Sequence, residues 1–425
     1  MLPTDGRHLF WQVVVTVTVN GVNSNSLHWY GAACLTLLLH ALDGYSIITF
    51  IKVLLQVKSV KEIKRNNKVR IAKYISRRGI TSKAEISSML GRSMPTTLQN
   101  VKELVETGVV EESGAYESTG GRKAKALSIS PEVGFAAGMD ITANHITFVL
   151  VNMKREPVNK KRTRIPYENT FSYYEKMGEL LHDFIKESGV REEKIIGVGI
   201  SLPGIVNKEE KVLLRSHALN VKNVSFKTIE NVIGFPYALE NDANSAAYAE
   251  LTESVKNTVY LSLSSTVGGA IYLHDKLYPG ENFRSGEFGH MIIEKGGRPC
   301  YCGKRGCADA YCSAKVLQRL ADDNLELFFR KLKDGEENCV QVWEQYLDDL
   351  AVVVSNLRMA FDCDVVLGGY VGGYLEEFLP ELGRKIMEYN KFDLDTSYLR
   401  TGKYKLEAAA YGVTLRFVEH FFDTL

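Results

Sequence analysis

The chain holds 425 residues, 45% of them hydrophobic and 24% charged, with a formal net charge of +1 at pH 7. That balance is ordinary for a soluble globular protein, gives length for two or three domains with large cores, and excludes a disordered or fibrous chain. The small net charge conceals an asymmetry: residues 58–130 carry fifteen Lys and Arg against seven Glu, a net +8, residues 1–57 are balanced, and everything from Pro131 onward sums to −7. A small basic module ahead of a large acidic body is the electrostatic layout of a nucleic-acid reader joined to a part that is not one.

Residues 1–57 fit neither part. Their apolar runs, 32–39 and 45–51, are interrupted by His40, Asp43, Gly44 and Lys52, so no uninterrupted span of about twenty apolar residues forms. A basic n-region and a small-residue cleavage site are missing, which argues against a signal peptide. The expectation is an atypical extension from a misplaced translation start, with the protein proper beginning near Val57 or Val60; a membrane-associated extension is the alternative.

In the basic module, residues 58–130, Val69, Ile71, Tyr74 and Ile75 recur at helical spacing between Asn67 and Arg77. Thr81 or Ser82 caps a second helix, with Glu85 completing a capping box and Ala84, Ile86 and Leu90 facing inward. Gly91 makes the turn. Ser93 caps a third helix with Pro95 in its first turn and Leu98, Val101, Leu104 and Val105 buried. Past Gly108, Val109 and Val110 open a strand that residues 127–129 answer. This order predicts a winged helix–turn–helix whose third helix enters a major groove. Met94, Thr96, Thr97, Gln99 and Asn100 would face base edges, Arg92 and Lys102 phosphates, with Ser93 at the same helix end. The wing tip, 120–123, would put Arg122 into a minor groove with Lys123 beside it. The bland alternative is a small helical bundle with a solvated basic face.

From Gly134 the pattern turns to α/β. Phe135–Asp140 reads as a strand with Ile146–Asn152 as its hairpin partner, a helix follows over Tyr173–Ser188, and Ile195–Ser201 is a buried strand running into Pro203-Gly204. Tyr237–Glu240 leads into Asn241-Asp242 and a helix over Ser245–Glu250, and 258–263 with 270–273 repeat the first strand pair. Two similar halves, 131–255 and 256–425, facing a cleft are implied, the last helix returning to the first half.

His290, Cys300, Cys302 and Cys307 lie within one polar, glycine-rich window. Three thiols and an imidazole form a complete ligand set for structural Zn²⁺, with no open position for chemistry. Gly303 and Gly306 permit the tight turns such a knuckle needs. Cys312 lies one turn beyond; Cys34, Cys339 and Cys363 are scattered packing residues. The thiols point to a reducing cytoplasm.

Glu287-x-Gly289-His290, Cys-x-Cys-Gly-x-x-Gly-Cys at 300–307, Pro203-Gly204 and Asn241-Asp242 together resemble the ROK family, which groups sugar-responsive repressors with sugar kinases; the resemblance spans roughly residues 65–420. It implies an actin-like, ribonuclease-H-like fold in two lobes. The added helix–turn–helix is the arrangement of the repressor branch, which answers xylose, N-acetylglucosamine and glucose signals. It further implies that Asn241, Asp242, Glu287 and His290 meet sugar hydroxyls, with Gly204 beside them and Asp309 where the family has Glu. In kinase relatives the residue matching Asp242 is the general base; its structural alternative is a helix cap.

The family's phosphate loops are altered here. Asp-x-Gly-Gly-Thr reads Asp140-Ile141-Thr142-Ala143-Asn144, and Gly-Thr-Gly reads Ser264-Ser265-Thr266, while Gly368-Gly369 persists. The expectation is a sugar-sensing repressor, a homodimer or higher homo-oligomer, that binds operator DNA, with no catalysis beyond residual sugar-kinase activity and no membrane association; a glucokinase-like ATP-dependent sugar kinase is the alternative.

Overall fold

The computed structural model describes residues 65–116, 124–251, 257–274 and 276–425. The expectations for residues 1–57 and for the wing tip with Arg122 and Lys123 lie outside them.

The basic module is built from α1 (residues 65–78), α2 (Lys83–Leu90), α3 (Met94–Glu106) and the antiparallel pair β1 (Val110–Tyr116) and β2 (Ala124–Ile129). Ser82 Oγ caps α2 by accepting from Glu85 N at 3.2 Å. The Glu85 carboxylate accepts from Tyr74 Oη, Arg78 Nε and Thr81 Oγ1, each at 3.0 Å, and so clamps α2 to α1. Gly91 turns the chain at φ 58°, a left-handed conformation that glycine adopts without Cβ strain. Ser93 Oγ then caps α3.

Two inward faces differ from the sequence expectation. On α2 only Ile86 is buried; Ala84 is exposed and Leu90 half-buried. On α3, Leu98 is 46% exposed, whereas Thr97 and Asn100 are 0% and 2% exposed. Val101 sits at helical spacing from both Thr97 and Leu98, so its burial alone does not set the phase. Leu104 does: the stripe through it passes Thr97 and Asn100 and turns Leu98 outward. Thr97 and Asn100 are therefore not on the outer face of α3.

The body holds two five-stranded sheets. The first runs β10 (Tyr237–Asn241), β6 (Ile195–Leu202), β3 (Phe135–Ile141), β4 (His145–Asn152), β5 (Pro157–Arg164). The second runs β15 (Leu399–Thr401), β14 (Asp364–Gly368), β11 (Thr258–Leu263), β12 (Val267–Leu273), β13 (Lys276–Leu277). In each, a central strand pairs antiparallel with its successor on one side and parallel with a later strand on the other. That shared connectivity is the structural form of the repeated strand pattern.

Every residue of β3 is buried, because helices cover both faces of the sheet. α4 (Phe171–Glu187) contributes Met177, Leu181 and Phe184 to one side. On the other lies the last helix. In order, the remaining helices used below are α5 (Asp242–Leu251), α6 (Asp309–Cys312), α7 (Glu337–Phe361) and α8 (Ala408–Asp423). α8 beds onto sheet positions that lack side chains: a Cβ at Gly138, Gly197 or Gly199 would strike Ala410 O, Phe417 or Val413. Its far end leaves the sheet, and Val418 and Phe422 join Ile71, Ile75, Val101, Leu104 and Leu127 in one buried cluster. The body's last helix is thus part of the basic module's core. None of the described helices is long and apolar enough to cross a membrane.

Candidate functional site

β10 ends at Asn241 and α5 starts at Asp242, which brings the two side chains to the floor of a cavity of about 320 Å³. Gly204, Glu287 and His290 line the same cavity. Asn241 Oδ1 accepts from Asn244 N at 2.9 Å, and its Nδ2 donates to Gly204 O at 2.9 Å and to Asp242 Oδ1 at 3.1 Å. The capping role considered for Asp242 is therefore carried by Asn241. Asp242 Oδ1 also accepts from Ala243 N at 2.9 Å.

Burial, then the charge of Asp140, pushes the Asp242 carboxyl up to about 7, with Glu287 adding to it. Asp140, on β3 just behind, is pushed up to about 6 by burial against the opposing Ser201 hydroxyl, which donates at 2.8 Å. Burial also raises Glu287, with Arg284 opposing. Near neutral pH the Asp242 carboxyl can either donate or accept, which suits vicinal hydroxyls.

Asp309 departs from expectation. It is 5% exposed, lies behind the wall on α6, and its Oδ1 accepts from Val267 N at 2.6 Å. It braces the start of β12 and does not line the cavity. The Asp side chain, one methylene shorter than Glu, is held by the Val267 amide and by the Tyr301 side chain that lines the cavity. Conversely, Arg215, His217, Arg284, Tyr301 and Lys304 line the cavity and went unread in the sequence. Tyr301 sits between two candidate ligand cysteines, a usable signal; nothing local marks His217, brought in by the turn after β8 (Val212–Ser216). The His290 ring meets those of His217 and Tyr301 edge on, Tyr301 at 5.3 Å between centroids, and His217 is tilted against Tyr301.

Behind that wall, the ligand atoms of His290, Cys300, Cys302 and Cys307 all lie within 4.8 Å of one another. Cys302 Sγ stands 3.7 Å from Cys307 Sγ, and Cys300 Sγ 3.7 Å from His290 Nδ1. The loop closes because Gly306 takes φ 81° and a Cβ there would strike Glu294 O. Burial first, and then the neighbouring Cys302 and Cys307 thiols, push the Cys300 thiol up to about 12, so a cation is what would hold it as thiolate. These four residues could hold a metal ion.

A second cavity, about 500 Å³, adjoins the first and shares Asp242, Pro203, Ala218, Ser262 and Thr266 with it. Its lining includes Asp140, residues 142–144 and residues 264–266, the loops that the family resemblance led one to expect near phosphates. Thr142 N donates to His145 O at 2.9 Å, and Thr142 Oγ1 accepts from His145 N at 3.1 Å. Ser264 N donates to Thr266 O at 3.2 Å. These amides are committed within the chain. Arg162 of β5 lies over the Tyr370 ring, 5.5 Å from its centroid.

On α3 the outward residues are Met94, Pro95, Leu98, Gln99 and Lys102, with Thr96 and Arg92 half-buried and Ser93 exposed at the cap.

The fold is thus a duplicated α/β body with a polar cleft, preceded by a winged helix–turn–helix. The ROK family profile matches residues 136–417, and the chain belongs to the ROK family. The xylose repressor of Bacillus spizizenii is 26% identical over 401 residues, covering 88% of this chain and 97% of that protein. Among solved structures, a ROK family transcriptional regulator described as a homologue of the E. coli MLC protein superposes with a TM-score of 0.67 at 21% identity, covering 85% of this chain and 97% of its own, a likeness of fold. ROK hexokinase from Thermus thermophilus gives a TM-score of 0.53 at 27% identity over 66% of this chain and 97% of its own.

Proposed function

We propose that the protein is a sugar-responsive transcriptional repressor. In this reading residues 58–130 form the DNA-binding module, 131–255 and 256–425 the two sensing lobes, and residues 1–57 an atypical extension. The observation that carries the reading is the joint presence of a hydroxyl-matched cleft around Asn241, Asp242, Glu287 and His290 and a helix–turn–helix whose core includes the body's last helix. The similarity to a xylose repressor over nearly its whole length supports it.

The effector is a sugar or a sugar phosphate, held by those four side chains, with Arg215, Arg284 and Lys304 at hand for an anionic group. Zn²⁺ is the metal: with Zn–S near 2.3 Å a tetrahedron has edges of about 3.8 Å, and the Cys302–Cys307 separation is 3.7 Å. His290, as both metal ligand and cleft residue, would fix the cleft's wall to the zinc knuckle. Such thiolates persist in a reducing cytoplasm. The protein acts as a homodimer on a two-half-site operator, and the sugar shifts the population to a closed cleft with altered module spacing.

One observation favours the kinase reading: Asp242 stands where both cavities meet, the position of a base between an acceptor hydroxyl and a phosphate donor. The committed loop amides and the side chains of Thr142 and Asn144 oppose it. The deciding experiment is a thermal-shift screen of the protein with xylose, glucose, N-acetylglucosamine, their phosphates and ATP, followed by operator binding with each hit. A sugar that stabilises the protein and releases DNA, with no ATP response, is expected. Sugar-dependent ATP consumption would overturn the repressor reading.

A further inference from the structure

We infer that Met94 and Leu98 form a thymine-methyl reader on α3, so that each operator half-site presents thymines to this helix. The inference rests on the DNA-binding function proposed above and names what that face reads.

Met94 and Leu98 are 40% and 46% exposed and stand four residues apart, one turn on a single stripe. Scattered exposed apolar residues are normal. Here, however, burial is inverted along one helix. Thr97 and Asn100 occupy inner positions, and Thr97 Oγ1 and Asn100 Oδ1 lie buried with no hydrogen-bond partner among the described residues. A buried unpaired polar atom costs stability, and so does a leucine left in water. The helix cannot turn Leu98 inward without carrying Leu104, seven residues from Thr97 on the same face, into water, so Leu98 stays on the outer face. A local rule broken twice on one short element points to a use for the outer face.

Charge selects the occupant. The surrounding module carries a net +8, Arg92 and Lys102 flank the stripe, and Gln99 stands exposed beside Leu98. An apolar stripe within a basic surface matches a DNA major groove better than another protein's core patch. In that groove the thymine C5-methyl is the one apolar group on a base edge, and a neighbouring glutamine can pair with adenine N6 and N7. The half-site then carries adjacent A·T pairs, with methyls against Met94 and Leu98 and an adenine against Gln99.

The test selects an operator from a random duplex library with the full chain, then replaces each thymine singly by deoxyuridine, which lacks only the methyl. At one or two positions per half-site the wild type should lose about fourfold in affinity, the factor expected for one buried methyl-sized group. Leu98→Ala, exposed and so tolerated by the fold, should bind the thymine and deoxyuridine operators alike at one of those positions, and Met94→Ala at the other. Lys102→Ala should weaken every duplex equally. Specific binding indifferent to every deoxyuridine would overturn the inference and leave the function standing, as would a Leu98→Ala protein with unchanged operator affinity. Selection of no sequence at all would remove both.

Discussion

Asp242 is the most consequential single residue in the cleft, because its chemistry and its stability effect pull in opposite directions. In the folded protein its carboxyl sits near 7, pushed there first by burial and then by Asp140. In the unfolded chain it sits near 4. Between those pH values the folded state keeps a proton that the unfolded state has released. This group's contribution to stability is therefore present at low pH and falls as pH rises from about 4 to about 7. The shift caps the effect at about 4 kcal/mol, and water in the open cleft reduces it. Asp242→Asn keeps an oxygen for Ala243 N and Asn241 Nδ2, and removes the charge. Its melting temperature should exceed the wild type's by several degrees at pH 8 and barely at pH 5, while sugar stabilisation is lost. Equal shifts at both pH values would show that the carboxyl does not titrate there. Cys302→Ser tests the knuckle: zinc measured by mass spectrometry should fall from about one per chain toward zero, with a melting temperature lowered by at least several degrees. Equal zinc in both proteins would defeat the assignment. The sequence made the cysteine and histidine ligand set legible because it is local, its members sharing one short window. Asp309 was misread because a motif position does not say which side of a wall a short carboxylate faces.

α8 is the element that joins cleft to module, and it does so through named polar contacts. Glu240, at the cleft, pairs with Arg416 on α8 and with Lys208 at 2.5 Å. Tyr248, on the helix that Asp242 opens, donates to Glu419 of α8. The other Glu419 oxygen meets Arg155 at 3.3 Å and Arg77 of α1 at 3.7 Å. Arg77 is mostly exposed, so that last pair alone is worth little. The buried Ile71, Ile75, Val418 and Phe422 contacts make the mechanical join. If the sugar acts by moving α5, Tyr248→Phe should keep sugar affinity within about twofold and cut the sugar's effect on DNA affinity by about 0.5–2 kcal/mol. A variant whose DNA release is as complete as the wild type's would place the coupling elsewhere. The strands β3, β4, β6, β10 and β11, the helix α4 and the module helices followed from apolar runs, caps and Gly91, whereas α5 begins three residues before the expected Ser245, and β5, β14, β15 and the long α7 were not read. The phase of α3 did not, since Thr97 and Leu98 both lie at helical spacing from Val101 and only tertiary packing chose between them. The role of α8 was legible only as a return to the first sheet; its share in the module's core depends on contacts more than 300 residues apart in sequence.

At the scale of the whole molecule, charge and rigidity together constrain how a sugar could release DNA. The module is basic and the body acidic, so DNA is attracted by one and repelled by the other, which favours contact through the module alone. Because the module shares its core with α8, a change in the body carries the module with it instead of remodelling α3. In the homodimer proposed above, the effect of the sugar should then lie in the relation between its two modules. A full operator engaged by both modules should show a slope of log affinity against log salt of roughly −6 to −10, and the sugar-bound protein, holding one half-site, about half that slope. An isolated half-site should bind weakly and with the same affinity whether or not sugar is present. Filter binding or fluorescence anisotropy across salt concentrations, on full and half operators, measures all four quantities. If the half-site proves as sugar-sensitive as the full operator, the sugar acts inside each module, and α8 works as a lever on α1 and α3 instead of a rigid mount.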